Sequence, residues 1–200
     1  MTSQQLYDII KESYPQSEVA SVCYTNKDCL REGFCIDKQT HNVIDFDSVK
    51  DMRYRGKAPT PSSVDAVCVS TGETQTFCFV ELKGWRRYIY NLKHQKYSPE
   101  RTAEGYNLAG KLSDSQRICI ELTEDSDLFA EMSVFFLLVT DIEVETRGID
   151  ALHTMLNQLG QTSTYWYSEC LRQAHKSLDA TIYINKAYIT CKEFDRFLNF

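Results

Sequence analysis

The chain has 200 residues, 42% of them hydrophobic and 12% aromatic, a composition typical of one globular domain with a sizeable core. Its formal net charge of -6 would argue against a nucleic-acid partner if charge were spread evenly. No apolar run is long enough to cross a bilayer, and the N-terminus lacks a basic segment followed by an apolar one. The sequence therefore predicts a single soluble, cytoplasmic domain over residues 1–200 with no membrane association.

The first predicted element is an amphipathic helix over residues 4–13. Leu6, Ile9 and Ile10 fall on one face at helical spacing, and Pro15 cannot continue the helix. This stretch is therefore expected to pack one apolar face against the rest of the domain.

The next segment is expected to contain short strands and one long loop. Residues 34–36 and 42–46 have the apolar content of strands around a polar turn. Residues 50–63 contain one glycine and two prolines, which predicts an extended loop. That loop would carry basic side chains toward the following strand, namely Arg53, Arg55 and Lys57.

A β-hairpin is predicted where two apolar runs, 64–69 and 77–82, flank a polar loop containing Gly72. If the loop is centred on Glu73, Val67 lies opposite Phe79 and Cys68 lies opposite Cys78. Extending that register by two pairs at the open end places Asp65 opposite Glu81.

Two carboxylates opposed in this way point to a metal site. Side chains alternate between sheet faces, so Asp65, Glu81 and Lys83 project on one face, and opposed Cβ atoms lie roughly 5 Å apart. The ionised form of each acid would be disfavoured unless a cation lay between them. Mg²⁺, or Mn²⁺ in its place, prefers oxygen ligands of this kind.

Positive charge is concentrated around this hairpin. Residues 1–49 carry a net charge of -4, residues 50–101 carry +5 and residues 102–200 carry -7. Basic and aromatic residues alternate after the second strand, a pattern that suits a phosphate backbone with unstacked bases. An equally open interpretation is a solvated loop whose aromatic side chains pack inward. The predicted nucleic-acid-binding residues are Arg53, Arg55, Lys57, Trp85, Arg86, Arg87, Lys93 and Lys96.

The second half of the chain is predicted to alternate helices and strands. A helix from Pro99 to about Leu122 would carry Lys111 on a polar face that can reach the site, although a solvent-facing lysine is the simpler alternative. Residues 132–140 have the near-continuous apolar pattern of a strand covered on both faces. The remaining predicted elements are helices over 149–159 and 166–176, a strand over 180–184 and a last helix capped by Thr190 and Glu193.

This order of elements predicts a mixed α/β domain with one central sheet. An acid at the start of one hairpin strand and an E-x-K triplet at the end of the next resemble the PD-(D/E)xK nuclease superfamily, which has the restriction-endonuclease-like fold. The matching residues are Asp65 and Glu81-Leu82-Lys83. Val64 stands where the family motif has proline, and the resemblance does not extend beyond about residue 140.

The resemblance implies a central mixed β-sheet flanked by helices and a Mg²⁺-dependent phosphodiesterase acting on DNA or RNA. Asp65, Glu81 and the Leu82 carbonyl would hold the metal, and Lys83 would orient the attacking water. Glu12 and Glu32 compete for the role of an additional acid. By analogy of fold alone, such a chain suits a homodimer or the effector subunit of a bacterial defence or mobile-element system.

Two other interpretations of the same residues stay open at the level of sequence. One is a catalytically inactive, nuclease-like module that binds nucleic acid or a partner protein. The other is an unrelated α/β interaction protein in which Lys83 forms a structural salt bridge with Asp65 or Glu81.

Overall fold

The structure, a computed structural model, describes residues 1–25, 40–72, 74–84, 101, 104–141, 169, 172–173, 176 and 184–199. A six-stranded mixed sheet lies at its centre in the spatial order β1 to β6. The strands are Glu18–Val19 (β1), Val43–Asp45 (β2), Ala66–Val69 (β3), Phe77–Lys83 (β4), Val134–Thr140 (β5) and Asn185–Thr190 (β6). The α-helices are Ser3–Ser13 (α1), Phe46–Arg53 (α2), Leu108–Thr123 (α3) and Phe194–Leu198 (α4).

The sheet changes from antiparallel to parallel at β4. Strands β1 to β4 pair antiparallel, whereas β4, β5 and β6 run parallel to one another. Helix α3 lies in the connection between the parallel strands β4 and β5, which is the usual way to join parallel neighbours. The prediction of a mixed α/β fold with a central sheet flanked by helices is confirmed.

The hairpin of β3 and β4 has the predicted register as far as Ala66 and Val80, where the ladder ends; Asp65 lies one residue outside the strand and is not paired with Glu81 in it. Val67 lies opposite Phe79 and Cys68 lies opposite Cys78. The Ser70 N–H donates to the Thr76 carbonyl at 3.0 Å, which closes the ladder at the loop end. Because the turn chemistry and the two apolar runs agree on one pairing, the register could be derived from the sequence.

Apolar side chains cover both faces of the sheet. Odd-numbered residues of β3 and β4 pack with helices α1, α2 and α3, and even-numbered ones pack with the C-terminal helix α4. The first core cluster includes Leu6, Ile10, Phe46, Val49, Val67, Phe77, Phe79, Leu108, Leu112, Ile118 and Phe136. The second includes Ala66, Cys68, Cys78, Val80, Leu82, Leu137, Val139, Phe194 and Leu198.

Helix α1 confirms the predicted amphipathic helix. Thr2 caps it in a capping box with Gln5, and the helix ends at Ser13, two residues before Pro15. Leu6 and Ile10 are fully buried, one turn apart. They pack α1 against α3 and the β3–β4 hairpin.

Helix α2 replaces the first part of the predicted loop over 50–63. The Asp45 carboxylate accepts the Ser48 N–H at 3.0 Å, a helix N-cap, so the preceding strand ends at Asp45. Phe46 and Val49 are both buried at a spacing of three residues. Arg53 consequently lies at the end of a helix and not in a loop, and the irregular segment begins at Tyr54.

One predicted boundary in the second half of the chain was also wrong. Helix α3 begins at Leu108, because Asn107 has a left-handed backbone with φ of 47° and interrupts the helix expected from Pro99. Gly110 accommodates this bend, since a Cβ there would lie 2.5 Å from the Asn107 side-chain nitrogen. A strand that was not predicted lies at Asn185–Thr190, where parallel pairing with β5 sets its register.

Some of the remaining predicted elements lie within the described residues and can be compared with the structure, whereas others lie outside them. The Thr190 and Glu193 capping box is confirmed, and residues 169, 172, 173 and 176 are helical within the predicted helix over 166–176. The predicted strand over 34–36, the helix over 149–159 and residues 180–183 lie outside the described residues. Among the helices that the structure describes, none has both the length and the apolar character needed to span a bilayer.

Candidate active site

Asp65 is held at the mouth of the hairpin by two main-chain contacts. It lies immediately before β3, and its carbonyl accepts the Phe46 N–H at 3.0 Å, which ties it to the start of α2. Its carboxylate Oδ2 accepts the Leu82 N–H at 2.7 Å across the hairpin. The side chain is only 15% exposed, so its orientation is fixed by the protein and not by solvent.

Glu81 is the most unusual residue of the sheet, because a carboxylate lies at a fully buried position of β4. It follows Phe77 and Phe79 on the same face of the strand. Its Oε1 atom accepts hydrogen bonds from the Lys83 ammonium at 2.5 Å and the Lys111 ammonium at 2.6 Å. Its Oε2 atom is buried without a hydrogen-bond partner among the described residues. A buried oxygen in that state is costly unless a further ligand binds it.

Lys111 connects the two acids. Its ammonium lies 2.6 Å from Glu81 Oε1 and 3.9 Å from Asp65 Oδ1. The helical spacing that predicted a polar face on this helix therefore placed the lysine correctly. We call Asp65, Glu81, Lys83 and Lys111 the buried cluster. When all four side chains are ionised, its two acids and two lysines have a formal net charge of zero.

The same face of α3 also positions the backbone that leads into Asp65. The Asp114 carboxylate accepts the Ser62 N–H at 2.8 Å. One residue further, the fully buried Ser115 hydroxyl accepts the Val64 N–H at 3.0 Å. Since these contacts fix the chain just before Asp65, α3 sets the geometry of the cluster as well as supplying Lys111.

Burial and charge act in opposite directions on the two central groups. Burial, followed by the negative charge of Glu81, raises the pKa of Asp65 to about 7, against the lysines and the Leu82 N–H. Burial alone would lower the pKa of Lys111, but the carboxylates of Glu81 and Asp65 outweigh it, and its pKa is raised. Lys111 is therefore a firmly protonated ammonium, whereas Asp65 can exchange a proton near neutral pH.

Lys83 is bounded by an acid and an aromatic ring. Its ammonium contacts Glu81 and lies 4.6 Å from the centroid of the Tyr106 ring, within the range of a cation–π interaction. Tyr106 lies just before α3, so the lysine links β4 to the entry of that helix. The side chain is 18% exposed, which leaves its outer end accessible from solvent.

Asp47 is an acid near the cluster that was not predicted. It lies in the first turn of α2, accepts a hydrogen bond from the Ser63 hydroxyl and pairs with Lys50 at 2.9 Å. Its negative charge contributes, after those of Glu81 and Asp65, to the raised pKa of Lys111. The signal that could have found it is the Asp45 N-cap, which marks the start of α2 and places Asp47 beside the cluster.

The other predicted site residues have different positions. Glu12 is exposed near the end of α1, and within the described part of the chain the cluster's contacts do not involve it. Arg53 bonds to α3 through the Glu121 carbonyl at 3.0 Å, while Arg55 and Lys57 are exposed. Leu82 contacts Asp65 through its N–H, whereas the prediction concerned its carbonyl. Outside the described residues lie Glu32, Trp85, Arg86, Arg87, Lys93 and Lys96.

The donor set fits a hard divalent cation better than a soft one. Two carboxylates converge with one buried, unpartnered oxygen, and Mg²⁺ commonly binds through one or two carboxylates while keeping several waters. Within the described ranges, no group of three or more histidine, cysteine, aspartate or glutamate residues could enclose a metal. The five cysteines described are free and buried. A metal here would complete its coordination with water, substrate or main-chain oxygen.

Comparison with known proteins finds no matching family model, no matching curated protein and no matching solved structure. The features that indicate a function are therefore the geometry of the buried cluster and the motif formed by Asp65 and Glu81-Leu82-Lys83.

Proposed function

We propose that this chain is a Mg²⁺- or Mn²⁺-dependent nuclease of the PD-(D/E)xK type. The observation that carries the proposal is the fully buried Glu81, which has one unpartnered carboxylate oxygen among the described residues, two lysines in contact and Asp65 on the far side of Lys111. A carboxylate is almost never fully buried unless it is paired, and the Glu81 oxygen without a partner among the described residues is one that a bound cation would satisfy.

The order of elements supports the restriction-endonuclease-like fold in particular. Helix α1 packs on an antiparallel hairpin, and helix α3 then leads to β5, which pairs parallel to the second hairpin strand. The acid and the E-x-K triplet lie at the open end of that hairpin. Both features are those implied by the sequence resemblance.

Each residue of the cluster has a chemical role in this proposal. Asp65 and Glu81, together with the Leu82 carbonyl, would hold the metal ion. When bound, such an ion lowers the pKa of an attached water and neutralises charge on the scissile phosphate. Lys83, two residues after Glu81 and partly exposed, would orient the attacking water and stabilise negative charge on the phosphate oxygens.

DNA or RNA is the proposed substrate because basic side chains surround the hairpin. Arg55 and Lys57 are exposed just upstream, and the segment after β4 adds further basic and aromatic residues. A chain of this size could work as a homodimer or as the effector subunit of a larger complex, such as a bacterial defence or mobile-element system.

The direct test is cleavage of plasmid DNA, single-stranded DNA and RNA in Mg²⁺ or Mn²⁺, with EDTA as the blank. Asp65→Asn, Glu81→Gln and Lys83→Met should each reduce cleavage at least about a hundredfold, since each removes a group that acts in the transition state. The matched controls are Asp51→Asn and Lys11→Gln, which make the same charge changes at exposed ion pairs.

Circular dichroism and thermal melting must show that the site variants remain folded. Cleavage that persists in a folded Asp65→Asn or Glu81→Gln variant would contradict the proposal. Cleavage that is unaffected by EDTA would contradict its metal dependence.

A binding module without catalysis is the second candidate, and one observation favours it. The buried cluster already balances two acids with two lysines, so the carboxylates are neutralised without a metal ion. This alternative predicts salt-sensitive nucleic-acid binding with no cleavage in any divalent metal. Replacing Arg86 and Arg87 by glutamine should then weaken binding, whereas Glu81→Gln should not.

A further inference from the structure

We propose that the Lys111 ammonium occupies the cation position between Asp65 and Glu81, so that a divalent ion binds there by displacing it. This inference rests on the proposed function, because it concerns the same metal site. It adds a property that the motif does not contain: a lysine from α3 that competes with the metal.

The position of Lys111 distinguishes it from the other lysine. In the part of the chain that the structure describes, Lys111 is the one cationic side chain in ion-pair range of both acids. Lys83 pairs with Glu81 and has the Tyr106 ring on its other side. Lys111 therefore stands where the two carboxylates require a positive charge, which is also where a metal would bind.

The hydrogen bonds of Glu81 show that this arrangement is incomplete. Both ammonium groups contact Oε1, so two like charges share one oxygen while Oε2 has no partner among the described residues. A divalent ion that contacts both acids would bring like charge close to Lys111, and electrostatic repulsion at that range is strong. The ion and the ammonium cannot hold the position together.

Displacement needs no movement of the backbone. Lys111 has a flexible four-carbon side chain that is already 22% exposed, so its ammonium can turn outward into solvent. Asp47, whose charge also contributes to the raised pKa of Lys111, is 46% exposed. Once released, the ammonium is free to contact a substrate phosphate.

The first test measures Mn²⁺ binding without nucleic acid, from the electron paramagnetic resonance signal of free Mn²⁺. Lys111→Gln should bind Mn²⁺ about tenfold more tightly than the wild-type chain, or better, because a competing positive charge is removed. Lys111→Arg keeps the charge and should stay within a few-fold of wild type. Lys11→Gln makes the same charge change at a distant ion pair and should leave the affinity unchanged.

The second test uses the wild-type chain, so it does not depend on a variant that folds. Lysines are acetylated with a trace of acetic anhydride, with and without saturating Mg²⁺, and each site is quantified by mass spectrometry. Acetylation of Lys111 should rise several-fold when Mg²⁺ is present, whereas acetylation of Lys11 should not change.

The outcomes separate this inference from the proposed function. Mn²⁺ that binds wild type and Lys111→Gln equally, with unchanged acetylation of Lys111, overturns the inference and leaves the metal site standing. Mn²⁺ that binds Lys111→Gln but not wild type supports the inference and contradicts the proposed metal-dependent activity. Absence of binding in both proteins contradicts both.

Discussion

The two ends of β4 are buried on the same face of the same strand but differ in chemistry. Phe77 and Phe79 at the beginning pack among apolar side chains beneath α1 and α3. Glu81 is equally inaccessible to solvent, yet it is a carboxylate held by Lys83 and Lys111. Burial of an aromatic side chain stabilises a fold, whereas burial of an ion pair seldom does, because desolvation offsets the attraction.

This difference indicates which end of the strand serves stability and which serves function. Packing against apolar side chains explains why Phe77 and Phe79 are buried. The polar end carries a charge balance and an unpartnered oxygen that packing does not require. The following predictions test this contrast, beginning with the largest expected effect.

Phe79→Ala should lower the free energy of unfolding by roughly 3–5 kcal/mol, because it leaves a cavity at a fully buried site. Urea denaturation followed by circular dichroism measures the change. Mn²⁺ affinity should be unaltered where the variant is folded. A loss below about 1 kcal/mol would mean that the aromatic end is not the stabilising part of the strand.

Lys111→Met should lower the free energy of unfolding by roughly 2–3 kcal/mol, less than for a fully orphaned buried charge because Lys83 stays beside Glu81. Adding Glu81→Met should recover most of that loss, since apolar replacement of both partners removes the desolvation cost. The same denaturation measurement applies to both variants. A double variant less stable than Lys111→Met alone would show that the ion pair itself stabilises the fold.

The pH dependence of stability should reveal Asp65 in metal-free protein. Its pKa is raised from 3.8 to about 7, so between these values the folded state holds a proton that the unfolded state has released. The contribution of Asp65 to the free energy of unfolding is therefore greatest at low pH. It falls as pH rises through that window, by up to about 1.4 kcal/mol per pH unit. Asp65→Asn should lack this slope when both proteins are unfolded by urea in EDTA from pH 4.5 to 7.5. Parallel curves for the two proteins would contradict the raised pKa.

Ser115→Ala should lower the free energy of unfolding by about 1–3 kcal/mol, because the buried Val64 N–H loses its acceptor just before Asp65. Ser113→Ala, on the exposed side of the same helix, is the matched control and should change stability by less than about 0.5 kcal/mol. Equal effects of the two substitutions would show that α3 does not position the site through Ser115.

The sequence predicted the hairpin and its register because two apolar runs and a polar turn are consistent with a single pairing. The predicted pair of Asp65 and Glu81 is not part of the ladder, and Asp65 instead meets the end of β4 through its carboxylate and the Leu82 N–H. Lys111 was predicted from helical spacing, which is a local property. The hairpin register and Lys111 are the features that short-range patterns determine.

The incorrect predictions involve residues whose role depends on contacts distant in sequence. Phe46 was assigned to the end of a strand, but it begins α2, which depends on Phe46 and Val49 finding the core beneath. The strand Asn185–Thr190 was not predicted, because its place is set by parallel pairing with β5. Asp47 was missed because α2, which brings it to Ser63, was not predicted.

The most direct test of the metal site is a crystal soaked in Mn²⁺ and measured at the manganese absorption edge. The proposal predicts an anomalous peak in contact with Glu81 and Asp65, with the Lys111 ammonium moved out of its position between them. A well-ordered site with no peak, in which Lys111 still pairs with both carboxylates, would contradict it.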